Sequence, residues 1–440
     1  MYIFVLFFIF GCALKENAPE LLEEMSEKEE IKEQDYLLMP QDVTLYLAQL
    51  KQVEESFPIQ KNHTEKYFSV WNYKRVPKNL ESIQWPYRTY KAGETYGDNL
   101  KPLQQSFFDT MTQQSAFENY ASLSRNAITI QYVNLRLFPS ERAVLKDPSI
   151  AGEGFPFDYA QNSSVAPNKP LFVSHYSKDK EWAFVFSSFA SGWIKTKEFV
   201  FLDPQYTQQI QEAEQIYIIK EGEALYDEEN NFLFRSRVGM LLPLIHEDAK
   251  HYTVLAVGRY KEGKALFVRS KIEKEIGHKD ILSFSKENLQ NVIQEVSKTS
   301  YGWGGLFEQR DCSSMLRDIF TPFGIWLPRN SFEQSKVGEV ISLEEFDDST
   351  KLEYIKEHAI AFQTLLYKKG HIVLYVGTYN NEVVVFHNTW GIKTLKDGQD
   401  GRVIIGESIF SSLRLGKELT YYDEDAALLK SIKSMNILTR

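Results

Sequence analysis

The chain contains two cysteines, and the second of them, Cys312, has the sequence context of a nucleophile. Asp311 is a natural helix N-cap, and apolar residues follow at helical spacing over 315–320, so Cys312 is predicted to lie on the first turn of a helix. Free backbone N–H groups and the helix dipole favour negative charge there, which predicts a thiol pKa lowered from about 8.5 toward roughly 3.5–7.5. A buried, inert thiol is the alternative.

A cysteine nucleophile also needs a group that protonates the leaving amine, and histidine suits that task near neutral pH. Of the eight histidines, His371 opens an apolar strand pattern and His387 ends the next one. A three-residue loop at 379–381 would place both imidazoles on one face of the sheet, whereas a two-residue Asn380-Asn381 turn would place them on opposite faces. We predict the three-residue loop, with His387 or its neighbour Asn388 orienting the ring of His371.

The elements that position these residues belong to the last third of the chain, where helical and strand patterns alternate from about 271. Before it, short strand-like runs recur in two successive series, which is typical of small barrels. Glu181-Trp182-Ala183-Phe184-Val185 followed by Gly192-Trp193-Ile194 has the pattern of a barrel hairpin. Helical and irregular patterns precede the barrels over 36–124.

Five motifs occur in order along the last third of the chain. They are Tyr301-Gly302-Trp303-Gly304-Gly305, Asp311-Cys312-Ser313, Leu327-Pro328-Arg329-Asn330-Ser331 with Gln334, Gly370-His371-Ile372, and the downstream His387. In this combination they resemble the NlpC family of cell-wall cysteine peptidases. The two barrel-like series resemble the bacterial Src-homology-3-like barrels that precede such catalytic domains. The resemblance implies a papain-like α+β unit, with the cysteine helix packed on an antiparallel sheet that carries the histidines.

Position by position, the resemblance implies Cys312 as nucleophile, His371 as base and then acid, and His387 as orienting residue. It places contacts with the N-terminal end of the substrate at Tyr301, Asp311 and Ser313. The implied reaction is hydrolysis of the bond between γ-D-glutamate and a diamino acid in peptidoglycan stem peptides. Barrels in relatives of this layout narrow the cleft, which implies a preference for stems with a free N-terminal L-alanine. One departure is Ser314, where the family usually has glycine.

The fold class expected from these patterns is multidomain α+β, a papain-like NlpC catalytic domain preceded by two small all-β barrels and a mainly helical N-terminal domain. The predicted boundaries are a lipoprotein-type signal at 1–12, a charged tether at 13–35, the helical and irregular N-terminal domain at 36–124, the first barrel at 125–204, the second barrel at 205–270 and the catalytic domain at 271–440. The Glu- and Lys-rich stretch 13–35 also fits a solvated helix packed on the body.

The first residues indicate export. Ile9-Phe10-Gly11-Cys12 resembles a bacterial lipobox, and the apolar run before it is too short to cross a bilayer. We predict a lipid on Cys12 and a periplasm-facing lipoprotein, with an ordinary cleaved signal or an uncleaved start as alternatives. Ala13 stands where inner-membrane retention is associated with aspartate, which favours the outer membrane. If Cys12 carries lipid, Cys312 has no disulfide partner within the chain.

Charge and composition restrict the partners. Sixty acidic residues against 50 basic ones give a net charge of −10, and no Lys/Arg-dense stretch could follow a phosphate backbone, so nucleic acid is excluded as a partner. The expected partners are peptidoglycan stem peptides, or muropeptides, and a membrane through the N-terminal lipid. No cofactor and no metal are predicted. Two other functions stay open, a zinc site built from Cys312, His371 and His387 and a catalytically inactive module that binds cell-wall peptides.

Overall fold

The structure is a computed structural model that describes residues 38–50, 63–150, 152–259 and 263–439. The predicted lipoprotein signal at 1–12 and tether at 13–35 lie outside the described residues. Within these ranges the chain is a multidomain α+β protein, as the sequence predicts.

The N-terminal part is helical and irregular. Its helices are α1 (Val43–Leu47), α2 (His63–Phe68), α3 (Leu80–Ile83), α4 (Trp85–Thr89) and α5 (Gln105–Gln114). These short helices share hydrophobic cores with their neighbours, because helices of four to ten residues bury too little surface alone. In α1, Tyr46 stacks on Phe410 of the last domain, with ring centroids 4.9 Å apart. Farther along, the indole N–H of Trp71 donates to the carbonyl of Ala127 in the first barrel at 2.9 Å.

The first barrel is a seven-stranded antiparallel sheet with the order β3-β2-β6-β5-β4-β1-β7. Its strands are β1 (Arg125–Thr129), β2 (Val133–Arg136), β3 (Gln161–Val165), β4 (Pro170–Tyr176), β5 (Trp182–Phe186), β6 (Ser191–Lys195) and β7 (Phe199–Phe201). The β5–β6 hairpin buries Trp193 completely. Gly192 is required beside it, since a Cβ there would come within 2.5 Å of the Arg136 carbonyl oxygen.

The second barrel follows helix α6 (Pro204–Glu212) and contains a five-stranded sheet with the order β13-β12-β11-β8-β14 and a β10-β9 pair. Its strands are β8 (Gln215–Ile218), β9 (Ala224–Tyr226), β10 (Phe232–Arg235), β11 (Leu241–Glu247), β12 (His251–Arg259), β13 (Ala265–Glu273) and β14 (Gly277–His278). Because β14 pairs with β8, this sheet continues past residue 270, where the sequence pattern places the domain boundary.

The last domain packs helices against a six-stranded antiparallel sheet with the order β15-β20-β16-β17-β18-β19. Its helices are α7 (Lys286–Val296), α8 (Cys312–Phe320), α9 (Ser331–Gln334), α10 (Asp348–His358) and α11 (Leu428–Ser431). Its strands are β15 (Glu339–Ser342), β16 (Thr364–Lys368), β17 (His371–Tyr379), β18 (Glu382–Lys396), β19 (Gln399–Ser412) and β20 (Ile432–Ile437). Helix α8 lies in one hydrophobic core with β17 and β18, so the cysteine helix and the histidine strands are held together by the same buried side chains.

Candidate active site

Helix α8 begins at Cys312. The Asp311 carboxylate accepts a hydrogen bond from the Ser314 backbone N–H at 2.8 Å, and the Ser314 hydroxyl accepts one from the Asp311 N–H at 2.9 Å. This reciprocal capping box fixes the point at which the helix starts. The buried face of the helix, formed by Met315, Leu316, Ile319 and Phe320, anchors it in the core.

The environment of the thiol corrects the prediction made from helix position alone. Cys312 is only 7% exposed, and burial raises the pKa of its thiol to about 12, with the nearby Asp311 carboxylate adding to the rise. Backbone N–H groups of Ile372 and Ser313, and the Arg329 charge, act in the opposite direction but are outweighed. The predicted lowering was therefore wrong, because loss of hydration penalises a buried thiolate more than the helix start stabilises it.

The backbone contact with Ile372 also locates the sulfur. Ile372 directly follows His371 at the beginning of β17, so the thiol lies against the first residues of the strand that carries this histidine. The packing of α8 on the sheet thus brings Cys312 to Ile372, the residue next to His371.

The hairpin between the two histidine strands differs from the prediction. Tyr379 pairs with Glu382, so the connection is the two-residue Asn380-Asn381 turn, with φ of +48° and +65°. The predicted three-residue loop was wrong. A β-bulge between Tyr375 and Gly377 then shifts the register by one residue, and Tyr375 pairs with Val385. The bulge has the same effect on the faces of the strands as the longer loop would have had.

As a result the two imidazoles lie on one face and contact each other. His371 Nε2 is 2.9 Å from His387 Nδ1, and the ring planes meet at 71°. On its other side, His387 Nε2 lies 3.0 Å from the Ser411 hydroxyl. Burial, together with the Lys368 charge, lowers the pKa of His387 to about 3 and holds the pKa of His371 well below its ordinary value.

Asn388, the alternative orienting residue, is directed elsewhere. Its side-chain amide donates to the Arg310 carbonyl at 3.0 Å. Of the two candidates, His387 is therefore the one in contact with His371.

Asp311 and Ser313, two of the three residues predicted to contact substrate, belong to one buried network. Arg329 donates to Asp311 through two nitrogens, at 3.1 and 2.7 Å, and to the hydroxyl of Ser313 at 3.0 Å. Its Nε donates to Ser163 of the first barrel at 2.7 Å. The guanidinium holds the pKa of Asp311 below its usual value despite burial. Arg329 belongs to a motif singled out in the sequence, but its role in joining barrel and active site was missed.

Tyr301 and His371 both line an open cleft of about 250 Å³. Burial and the nearby Cys312 and Asp311 raise the pKa of Tyr301 well above its ordinary value, so its hydroxyl stays protonated. Other residues that line the cleft are Gly152, Phe157, Trp303, Gly370, Thr389, Trp390 and Arg402. The sequence did not indicate Phe157, Trp390 or Arg402, because they come from the first barrel and from the β18–β19 hairpin and have no shared motif.

The first barrel forms part of the wall of this cleft. The Trp303 indole N–H donates to the Asp158 carbonyl at 3.0 Å, and Phe157 meets the rings of Trp303 and Trp390 edge to face. Gly304 allows the close approach, since a Cβ there would lie 2.6 Å from the Gln161 carbonyl oxygen.

Two further features concern the described part of the chain only. There, no group of three or more His, Cys, Asp or Glu side chains could hold a metal ion. Among the same residues, no helix combines the length and apolarity needed to cross a bilayer. The predicted lipid site, Cys12, lies outside them.

Comparisons with known proteins agree with this architecture. The NlpC/P60 family model matches residues 298–396, and a model of the N-terminal NLPC_P60 stabilising domain matches residues 1–120. An SH3 domain of SH3b1 type matches residues 143–195, and one of SH3b2 type matches residues 203–249. The chain belongs to the NlpC/P60 family, with two SH3b domains ahead of its catalytic domain, and members of this family are generally cell-wall cysteine peptidases.

Among solved structures, an NlpC/P60 endopeptidase from Photobacterium damselae subsp. piscicida is similar over 91% of this chain and 98% of its own, with 23% identity and a TM-score of 0.80. It shares the fold. An NlpC/P60 family protein from Bacillus cereus ATCC 10987 covers 72% of this chain and 100% of its own, with 16% identity and a TM-score of 0.47. A comparison with curated proteins found no match.

Proposed function

We propose that this protein hydrolyses the bond between γ-D-glutamate and the diamino acid of peptidoglycan stem peptides. In this proposal Cys312 is the nucleophile, His371 transfers the proton and His387 orients His371. Two observations carry it: the sulfur contacts the backbone N–H of Ile372, the residue next to His371, and His371 Nε2 lies 2.9 Å from His387 Nδ1.

The reaction begins from a neutral thiol and a neutral imidazole, because burial raises the pKa of Cys312 and lowers that of His371. His371 takes the thiol proton as the sulfur forms its bond to the γ-carbonyl carbon. The same proton then passes to the leaving amine as the C–N bond breaks, which leaves a thioester. Water, deprotonated by His371, hydrolyses the thioester and restores the thiol.

A free N-terminal L-alanine is the second part of the proposal. The first barrel limits the space in the cleft, since Phe157 lines it and Trp303, which also lines it, is held by the Asp158 carbonyl. Of the Asp311 oxygens, Oδ1 accepts hydrogen bonds from Ser313, Ser314 and Arg329, whereas Oδ2 accepts one from Arg329. A carboxylate oxygen has two acceptor sites, so Oδ2 keeps one for a substrate ammonium group.

The test is mass spectrometry of defined stem peptides before and after incubation with the protein. Wild-type protein should release L-Ala-γ-D-Glu, and stems with an acetylated N-terminus should be cut at least about tenfold more slowly, since each lost charge-assisted hydrogen bond is worth about 1.5–3 kcal/mol. Cys312→Ser should keep its fold and bind the peptide while turnover disappears. Full activity in this variant, or cleavage at another bond, would contradict the proposal. Binding without any turnover by wild-type protein would instead favour the inactive binding module.

We also propose that Cys12 carries a lipid and that the protein faces the periplasm from the outer membrane. Two features support this: the lipobox-like sequence that ends at Cys12, and the alanine at position 13, where inner-membrane retention is associated with aspartate. Fractionation of cells that express wild-type or Cys12→Ala protein tests it. The wild-type protein should sediment with outer membranes, and the variant should not. A wild-type N-terminal peptide without lipid mass would contradict the proposal.

A further inference from the structure

A third side chain, Ser411 of β19, extends the contact between the two histidines. Ser411 and His387 are almost completely buried, at 0% and 1% exposure. The Ser411 oxygen lies 3.0 Å from His387 Nε2 and 3.0 Å from the carbonyl oxygen of Ser412. We propose that Ser411 is a positioning residue that fixes the tautomers of both histidines, and so decides which nitrogen of His371 can accept the thiol proton. This inference rests on the proposed peptidase function.

The direction of the first hydrogen bond follows from the groups involved. A serine hydroxyl has one proton, and the Ser412 carbonyl can only accept, so the Ser411 hydroxyl donates to it. Toward His387 the hydroxyl can then only accept. The proton of the His387 imidazole must therefore be on Nε2.

The second hydrogen bond follows from the first. His387 is neutral near pH 7, because burial lowers its pKa to about 3, so with Nε2 protonated its Nδ1 is an acceptor. His371 Nε2, 2.9 Å away, must donate to that nitrogen. Burial also keeps His371 neutral, which leaves its Nδ1 without a proton. Nδ1 is thus the nitrogen of His371 that can take the proton from Cys312.

With the opposite tautomers, His371 could not act as a base toward the Cys312 thiol. With Nδ1 of His371 protonated, the ring offers the thiol a donor and no acceptor, and Nε2 would face His387 as an acceptor. Without the Ser411 hydroxyl, His387 Nε2 is buried without this partner whether or not it carries the proton. The free-energy difference that favours the Nε2-protonated tautomer of His387 is then lost. A mixture of tautomers should then lower the fraction of molecules that can react.

Selective ¹⁵N-histidine NMR of the full chain reads the tautomers without any substrate. Wild-type protein should show His387 and His371 both protonated on Nε2, with signals assigned by their loss in His387→Gln and His371→Gln. Ser411→Ala should show mixed tautomers, and Ser411→Thr, which retains the hydroxyl, should keep the wild-type pattern. A proton on Nδ1 of His387 in the wild type, or an unchanged pattern in Ser411→Ala, would overturn the inference.

Kinetics supplies the second readout. Ser411→Ala should lower kcat roughly 10-fold with little change in KM, by analogy with the loss seen when the hydrogen-bond partner of a metal-binding histidine is removed. In a His387→Ala background, Ser411→Ala should have no further effect, because the hydroxyl acts only through that ring. Ser408→Ala is the matched control on the same strand, since its hydroxyl contacts the Met315 sulfur instead. An equal loss in both backgrounds would contradict the inference. If wild-type protein cleaves no stem peptide, the proposed function fails while NMR still decides the role of Ser411.

Discussion

The β-bulge in β17 places His371 on the same face as His387, and Gly377 is the residue on which it depends. Gly377 has φ of +128°, and a Cβ there would come within 2.4 Å of the Gln49 side-chain oxygen. That oxygen accepts from the Thr378 N–H at 2.8 Å, and the Gln49 amide nitrogen donates to the Thr378 carbonyl at 2.6 Å. Gln49, from the segment after α1, thus makes two hydrogen bonds to the Thr378 backbone next to the bulge, as a neighbouring strand would.

We predict that Gly377→Ala destabilises the catalytic domain in two ways. The unfavourable backbone angle costs about 1–3 kcal/mol. The methyl group also displaces Gln49, which breaks its two hydrogen bonds to the Thr378 backbone, worth about 1 kcal/mol each. Gly398 is the matched control, since it also has positive φ, at +77°, but has nothing within 4 Å of the added Cβ. Gly377→Ala should therefore cost about 2 kcal/mol more than Gly398→Ala.

Calorimetry and stem-peptide hydrolysis measure the two consequences. For a domain of this size, about 2 kcal/mol lowers the Tm by roughly 4–8 °C relative to the control. The kcat should fall as well, because a one-residue slip in register moves His371 to the other face. In a Gln49→Ala background the hydrogen bonds are already absent, so Gly377→Ala should cost no more than Gly398→Ala. A Tm no lower than that of the control, or additive effects of the two substitutions, would refute the role given to the bulge.

Three further predictions concern charge at the site. Arg329→Ala leaves the Asp311 carboxylate buried without its cation and should lower the free energy of unfolding by about 3–5 kcal/mol. Adding Asp311→Asn should recover part of this loss in thermal unfolding. An unchanged Tm would argue against the ion pair. Because burial raises the Cys312 pKa to about 12, the rate of its alkylation by iodoacetamide should rise about tenfold per pH unit from about pH 7 to about pH 10. Peptide mass spectrometry measures this rate, and a plateau below about pH 8 would instead show a resting thiolate. His371 must be neutral to act as a base, and its pKa is lowered, so kcat/KM should stay level as the pH falls from about 7 to about 6. A decline centred at about pH 6.5 would contradict this.

The sequence was sufficient for features that depend on neighbouring residues. Asp311 and the apolar spacing after Cys312 predict the start of the helix, since a capping side chain and a buried stripe act within a few residues. The apolar runs next to His371 and His387 likewise identify two adjacent strands. The ordered motifs predicted the family, which the family comparisons confirm.

Only the tertiary structure decided the features that depend on distant parts of the chain. The hairpin turn is the one that Asn380-Asn381 favours locally, and the bulge that restores the histidine register is held by Gln49, more than 300 residues away. The pKa of the Cys312 thiol also depends on distant residues, because the whole fold removes water from the sulfur. The helix start, which favours the thiolate, is a local feature and is outweighed. Local sequence therefore determined which groups the site contains, and packing between distant segments determined their faces, their partners and their protonation.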